Sequence, residues 1–129
     1  MIVVVGGNRR KAGKTTVICE IIAATRSARW TAVKLTPHVH EKTDHGDTER
    51  YLAAGAARAS LSDVYSELEG NVIIESNSVL DRLKPDVFVF VDDGGERKAS
   101  ALEHVSNADF IVTGHASEEA IARIQRFLG

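Results

Sequence analysis

The chain has 129 residues, a formal net charge of −2, 43% hydrophobic and 26% charged residues. That length suits a single domain with a real core. Nothing in the charge balance suggests the strongly basic surface by which a protein holds nucleic acid or an anionic membrane. Cys19 is the single cysteine, so no internal disulfide can form. Its place on a predicted first helix makes packing the default role. No apolar run approaches the roughly 20 residues of a membrane span, and no secretory leader precedes the first strand, so the cytoplasm is the expected compartment.

Ile2 to Val5 is a continuous apolar run, predicted as a strand. A glycine-containing loop follows, and then Val17, Ile18, Ile21 and Ile22 recur at helical spacing, which predicts a helix from 14 to about 26. Trp30 to Leu35 is the next strand; Pro37 breaks regularity, and a polar stretch runs from His38 to Gly46. Asp47 is the expected N-cap of a helix carrying Leu52, Ala53, Ala56 and Ala57, whose small residues suit close packing against a sheet. Residues 58–70 are ambiguous, with one or two helical turns between Asp63 and Leu68. Val72 to Ile74 is a strand ending in Glu75, followed by a short helix from Ser78 to Leu83.

Val87 to Val91 reads as a strand buried on both faces, ending in the turn Asp92-Asp93-Gly94-Gly95. A helix over 97–106 is expected to bury Ala101, Leu102 and Val105. Phe110 to Val112 is the last strand, and Ser117 starts a helix burying Ile121, Ile124 and Leu128. In that helix Glu118 and Glu119 lie near the N-terminus, with Arg123 and Arg126 toward the C-terminus, which complements the dipole. Strands alternate with helices throughout, which predicts an α/β three-layer sandwich with a mainly parallel sheet. Ligands in such sheets sit beyond the carboxyl ends of the strands.

The richest of those ends carries Gly13-Lys14-Thr15-Thr16. Between a strand and a helix, this triplet-plus-one is a phosphate cradle. Backbone N–H groups and the helix dipole favour an oxyanion there. Lys14 would reach the terminal phosphates and the Thr15 hydroxyl would sit on Mg²⁺. The fuller pattern, G-x-x-x-x-G-K-[ST], asks for glycine at position 8, which holds Asn8. Asn tolerates left-handed backbone better than other side chains, so the loop could close in register, or Gly7 could serve with one residue extra. The expected cradle is Asn8, Arg9, Arg10, Lys11, Ala12, Gly13, Lys14, Thr15 and Thr16, holding GTP or ATP. Its three extra cations suit a triphosphate or a phosphorylated substrate, and equally well a solvated loop.

A Mg²⁺-nucleotide needs an acid near the metal. Glu75 and Asp92 both end apolar strands. Glu75 is favoured, because Asp-Asp-Gly-Gly has a ready explanation as a turn. Ser76 and Asn77 would then face substrate or phosphate. His38, His40 and His45 crowd one loop with Asp44 and Asp47. A transition-metal site is one reading; the other is a solvated, switch-like loop whose Asp44 or Asp47 contacts Mg²⁺ or positions water. The expected catalytic set is Lys14, Asp44, Asp47 and Glu75, with Thr15, Glu75 and Asp92 as metal ligands. Arg50 and Arg58 read as surface cations, although an arginine aimed at phosphate would stabilise transition-state charge.

Taken together these residues resemble the MobB family, P-loop GTP-binding proteins of molybdopterin-guanine dinucleotide biosynthesis. The resemblance is carried by Gly13 to Thr16, by Val33-Lys34-Leu35-Thr36-Pro37-His38-Val39-His40, by Asp44-His45-Gly46-Asp47-Thr48 with Ala54-Gly55-Ala56, and by Ile74-Glu75-Ser76. It covers roughly the first 80 residues. Asn8 and Ser76 stand where the family has glycine, and no Asn-Lys-x-Asp guanine-reading motif is present. The resemblance implies a homodimer, weak hydrolysis of a Mg²⁺-nucleotide, and a partner enzyme of cofactor biosynthesis. Two other readings stay open: a small-molecule kinase or ATP-dependent ligase, and a non-hydrolysing regulatory module.

Overall fold

The apolar runs become parallel strands in the computed structural model, which describes residues 1–8, 13–36, 45–95 and 99–129, with backbone alone at His45 and 99–101. The strands are β1 (Ile2–Gly7), β2 (Thr31–Leu35), β3 (Arg58–Ser62), β4 (Val72–Glu75), β5 (Val87–Val91) and β6 (Phe110–Val112). The helices are α1 (Lys14–Ala24), α2 (His45–Ala54), α3 (Ala99–His104) and α4 (Glu118–Leu128). All six strands form one sheet in the order β3-β2-β4-β1-β5-β6, and every pairing is parallel. β1, followed by the glycine loop, lies at the centre between β4 and β5.

Alternation along the strands sends their side chains to two cores. Val3, Val5, Ile73, Val89 and Val91 pack with Val17, Ile18, Ile21 and Ile22 of α1, Tyr51 of α2, and Ala120 and Ile124 of α4. Val4, Val33, Ile74, Phe88 and Phe90 face the other way, onto Val79, Leu80, Leu83, Tyr65, Val105 and Ala108. Helices therefore cover one face, and short turns with the α3 region cover the other. Together the three layers are the α/β sandwich expected from the alternation of elements. No helix among the described residues is long and apolar enough to cross a membrane.

Several boundaries differ from expectation. α1 stops at Ala24, and a 3₁₀ turn, Arg26–Ala28, follows. The Thr25 hydroxyl closes this end by donating to Ile21 O at 2.6 Å and accepting the Trp30 indole N–H at 2.8 Å. Asp47 is not an N-cap, because α2 already starts at His45. Ala56 and Ala57 lie beyond that helix, which closes with Gly55 N–H to Leu52 O and Ala56 N–H to Tyr51 O. Tyr51 is its fully buried residue, whereas Leu52 and Ala53 are exposed.

Residues 58–62 are an edge strand paired along its whole length with β2, and no helix occupies Asp63 to Leu68. Ser78–Asp81 is a 3₁₀ turn. Leu102 points to solvent at 61% exposure, so of the three residues expected inward from the fourth helical pattern only Val105 packs on the core; the Ala101 side chain lies outside the described residues. α4 matches its prediction. Ser117 caps it by accepting from Ala120 N–H at 3.2 Å, and Ile124 is fully buried with Ile121 and Leu128 packed against the same core.

Candidate functional site

The central turn, where β1 passes into α1, sets the site. Gly13 precedes α1 with φ 97°, a left-handed conformation that a side chain would strain. A Cβ at Gly13 would also lie 3.1 Å from Gly114 Cα, beyond β6. Lys14 folds back over β1 so closely that a Cβ at Gly7 would meet its Cγ and Cδ at 3.0 Å. Gly7 is held from the opposite side by Asn77. Its N–H donates to Asn77 Oδ1 at 3.1 Å, and Asn77 Nδ2 donates to Gly7 O at 2.8 Å. Asn77 thus braces the loop backbone. Ser76 is likewise engaged locally, with Ser78 Oγ at 3.2 Å and Val79 N–H.

Asn8 does not adopt the left-handed backbone anticipated for the first loop position, since Arg29 is the only described non-glycine residue with positive φ. It is fully buried, and its Nδ2 donates to Asp92 Oδ1 and to Gly95 O, both at 3.0 Å. Its Oδ1 is buried and accepts no hydrogen bond among the described residues. Arg9, Arg10, Lys11 and Ala12 lie outside the described residues, as do His38, His40, Asp44 and the His45 side chain.

Next to α1, strand register does the positioning. Val5, Glu75 and Lys34 are cross-strand partners on β1, β4 and β2, so their side chains share the helix-covered face. There Glu75 meets the first turn of α1. The Thr15 hydroxyl donates to Glu75 Oε1 at 3.0 Å, and the Tyr51 hydroxyl donates to the same oxygen at 2.6 Å. Lys34 Nζ lies 3.6 Å from Glu75 Oε2 and forms an ion pair with Asp47. The Glu75 side chain is only 6% exposed, so this carboxylate exchanges water for two hydroxyl donors and a nearby ammonium, from three elements. Burial, and after it the adjacent Glu75 carboxylate, pushes the Tyr51 phenol far above its ordinary range, which keeps it a protonated donor.

From α2, Arg50 Nη2 donates to Thr16 Oγ1 at 3.1 Å, while Arg58 is exposed on β3. Cys19 is half-buried against the helix-face core, and burial raises its thiol pKa despite the opposing pull of Arg50. His115 is an exposed surface group, with its Nδ1 3.2 Å from Glu20 Oε1.

Asp92 is placed differently. Its Oδ1 accepts from Asn8 Nδ2 and, at 2.9 Å, from Gly94 N–H; Asp93 Oδ1 accepts from Gly95 N–H at 2.8 Å. These are turn-forming bonds of the kind Asp and Gly favour. An open cleft of about 420 Å³ is lined by Asp92, Asp93, Gly94, Thr113 and Gly114.

The structure therefore brings Lys14, Thr15, Asp47 and Glu75 to one corner and puts Asp92 in a turn beyond the neighbouring strand. The donors Thr15 and Glu75 are hard oxygens, which fit Mg²⁺. A hydroxyl has one hydrogen and two lone pairs, so Thr15 donating to Glu75 keeps lone pairs for a cation. Tyr51 and Lys34 were not assigned site roles by sequence reasoning. The signal for Tyr51 was its spacing of four residues from Asp47, which puts both on one helix face; the signal for Lys34 was a lone cation in an apolar strand.

Fold and corner together define a P-loop-like α/β sandwich: a parallel sheet whose central strand runs through a glycine turn into a helix beginning Lys-Thr-Thr. Comparison with known protein families, curated proteins and solved structures finds no match to this chain.

Proposed function

We propose that this protein binds a nucleoside triphosphate, GTP or ATP, with Mg²⁺ and hydrolyses it slowly, in the manner of the MobB-like adaptors it resembles. The observation that carries the reading is the Thr15–Glu75 contact at 3.0 Å, formed between the first turn of α1 and the end of the strand beside β1. A chance Gly-Lys-Thr in a βα turn has no reason to place its threonine hydroxyl on a buried acid. Thr15 and Glu75 would hold Mg²⁺, which supplies charge neutralisation at the phosphates. Lys14 would bind the terminal phosphates, and the N–H groups at the start of α1 would bind oxyanions. Asp47, engaged by Lys34, would act by holding that lysine beside Glu75. The partner enzyme and homodimer implied by the resemblance belong to this same proposal.

Titration calorimetry with ATP and GTP, each with Mg²⁺, tests it. Wild type should bind, and Lys14→Ala should weaken binding at least about 100-fold, the scale of losing a charged contact worth about 3 kcal/mol. Equal affinity in the variant would remove Lys14 from the site. GTP preference would favour the MobB-like role.

A second reading, a small-molecule kinase or ATP-dependent ligase, is favoured by the cleft at Asp92 to Gly114. Gly114 abuts Gly13, so the cleft adjoins the phosphate turn and would admit an acceptor. Turnover stimulated by a small acceptor would select this reading.

A further inference from the structure

One face of α2 is committed to the nucleotide corner. Asp47, Arg50 and Tyr51 stand at i, i+3 and i+4, and reach Lys34, Thr16 and Glu75 respectively. Tyr51 is the most constrained of the three. Its ring is fully buried in the helix-face core, so packing delivers the hydroxyl to one point. At that point the hydroxyl meets Glu75 Oε1, the oxygen that Thr15 also uses. Two hydroxyl donors thus occupy Oε1, while Oε2 is turned toward the Lys34 ammonium at 3.6 Å. Without the phenol, the carboxylate would keep Thr15 alone on Oε1 and could rotate about its last bond, a soft two-fold torsion.

We infer that Tyr51 is a positioning residue for the divalent cation: its hydroxyl locks the Glu75 carboxylate in place against the Thr15 hydroxyl, the pair that would hold the metal. The inference rests on the reading of the site as a Mg²⁺-nucleotide site. Groups that orient a metal ligand without touching the metal typically change metal affinity 10- to 100-fold when removed. Tyr51→Phe keeps the ring in the core and deletes only the donor.

The test measures nucleotide affinity in EDTA and across a Mg²⁺ titration, with thermal melting in parallel. It uses wild type, Tyr51→Phe, Glu75→Gln and the double variant. For Tyr51→Phe we expect unchanged metal-free affinity, a cooperative melt, and a half-saturating Mg²⁺ concentration raised about 10-fold or more. The double variant should be no worse than Glu75→Gln alone, because residues acting through one contact are non-additive. Unaltered Mg²⁺ dependence in Tyr51→Phe overturns the inference and leaves the nucleotide reading standing. Equal losses with and without Mg²⁺, or a lost cooperative melt, also overturn it, since they show a structural role only. If wild type binds neither nucleotide in either condition, the nucleotide reading itself fails and the inference falls with it.

Discussion

Glu75 and Asp92 end the two apolar strands that flank β1, yet they are in different chemical states of engagement. Glu75 is withdrawn from water and held by Thr15, Tyr51 and Lys34, which come from α1, α2 and β2. Asp92 is half-buried, and its contacts to Asn8 and Gly94 fix the shape of a turn. The difference begins with parity. Glu75 lies two residues after Ile73 and so shares its helix-covered face, where α1 starts. Asp92 lies one residue after Val91, which uses that face, and so falls out of phase with it. A strand-end acid becomes a partner for α1 only when its phase is right. The same apolar-strand-then-acid pattern on the other side of β1 yields a turn.

Truncating the two acids breaks this comparison most directly. Glu75→Ala leaves the buried Tyr51 hydroxyl without its acceptor and removes a buried charge partner of Lys34. Such losses cost about 3 kcal/mol, readable by urea unfolding. A loss below about 1 kcal/mol would mean that the clasp contributes little beyond one ordinary hydrogen bond. Asp92→Ala gives up turn bonds near solvent, while Asn8 keeps Gly95 O, so about 1 kcal/mol is expected. Equal costs for the two variants would contradict the asymmetry drawn here.

A finer test uses pH. The Tyr51 phenol is raised above its ordinary value of about 10 by burial and by Glu75. Below that value, folded and unfolded phenols are both protonated, and the contribution does not vary with pH. Above it, the unfolded chain releases the proton and the folded one keeps it, so stability falls as pH rises. The stability advantage of wild type over Tyr51→Phe should therefore shrink between about pH 9 and about pH 11. A constant gap would mean that the phenol is less enclosed than its packing implies.

Much of the fold was legible because it depends on local regularities. Apolar runs marked β1, β4 and β5, the 3.6-residue spacing of Val17 to Ile22 marked α1, and Ser117 with Glu118 and Glu119 marked the start of α4. β3 was not legible. Arg58-Ala59-Ser60-Leu61-Ser62 has one large apolar residue and weak strand propensity, and it is a strand because β2 offers it a full ladder. The α2 face was legible only in part. Small alanines suggested close packing, and Ala54 and Ala56 do pack on the helix-face core, but the tertiary arrangement also buries Tyr51 and leaves Leu52 exposed.

The sequence by itself determined that a glycine turn and a Lys-Thr-Thr helix start would follow the first strand, and that acids would collect at strand ends. Those features are local, set by backbone freedom at glycine and by side-chain periodicity. Only the tertiary structure decided which acid faces Thr15, that Asn8 and Asn77 brace the loop, and that Tyr51 and Lys34 enclose Glu75. Those outcomes depend on strand order and register, which bring residues 15, 34, 51 and 75 to one point. A one-residue change in strand phase would have sent the same carboxylate to the opposite face of the sheet.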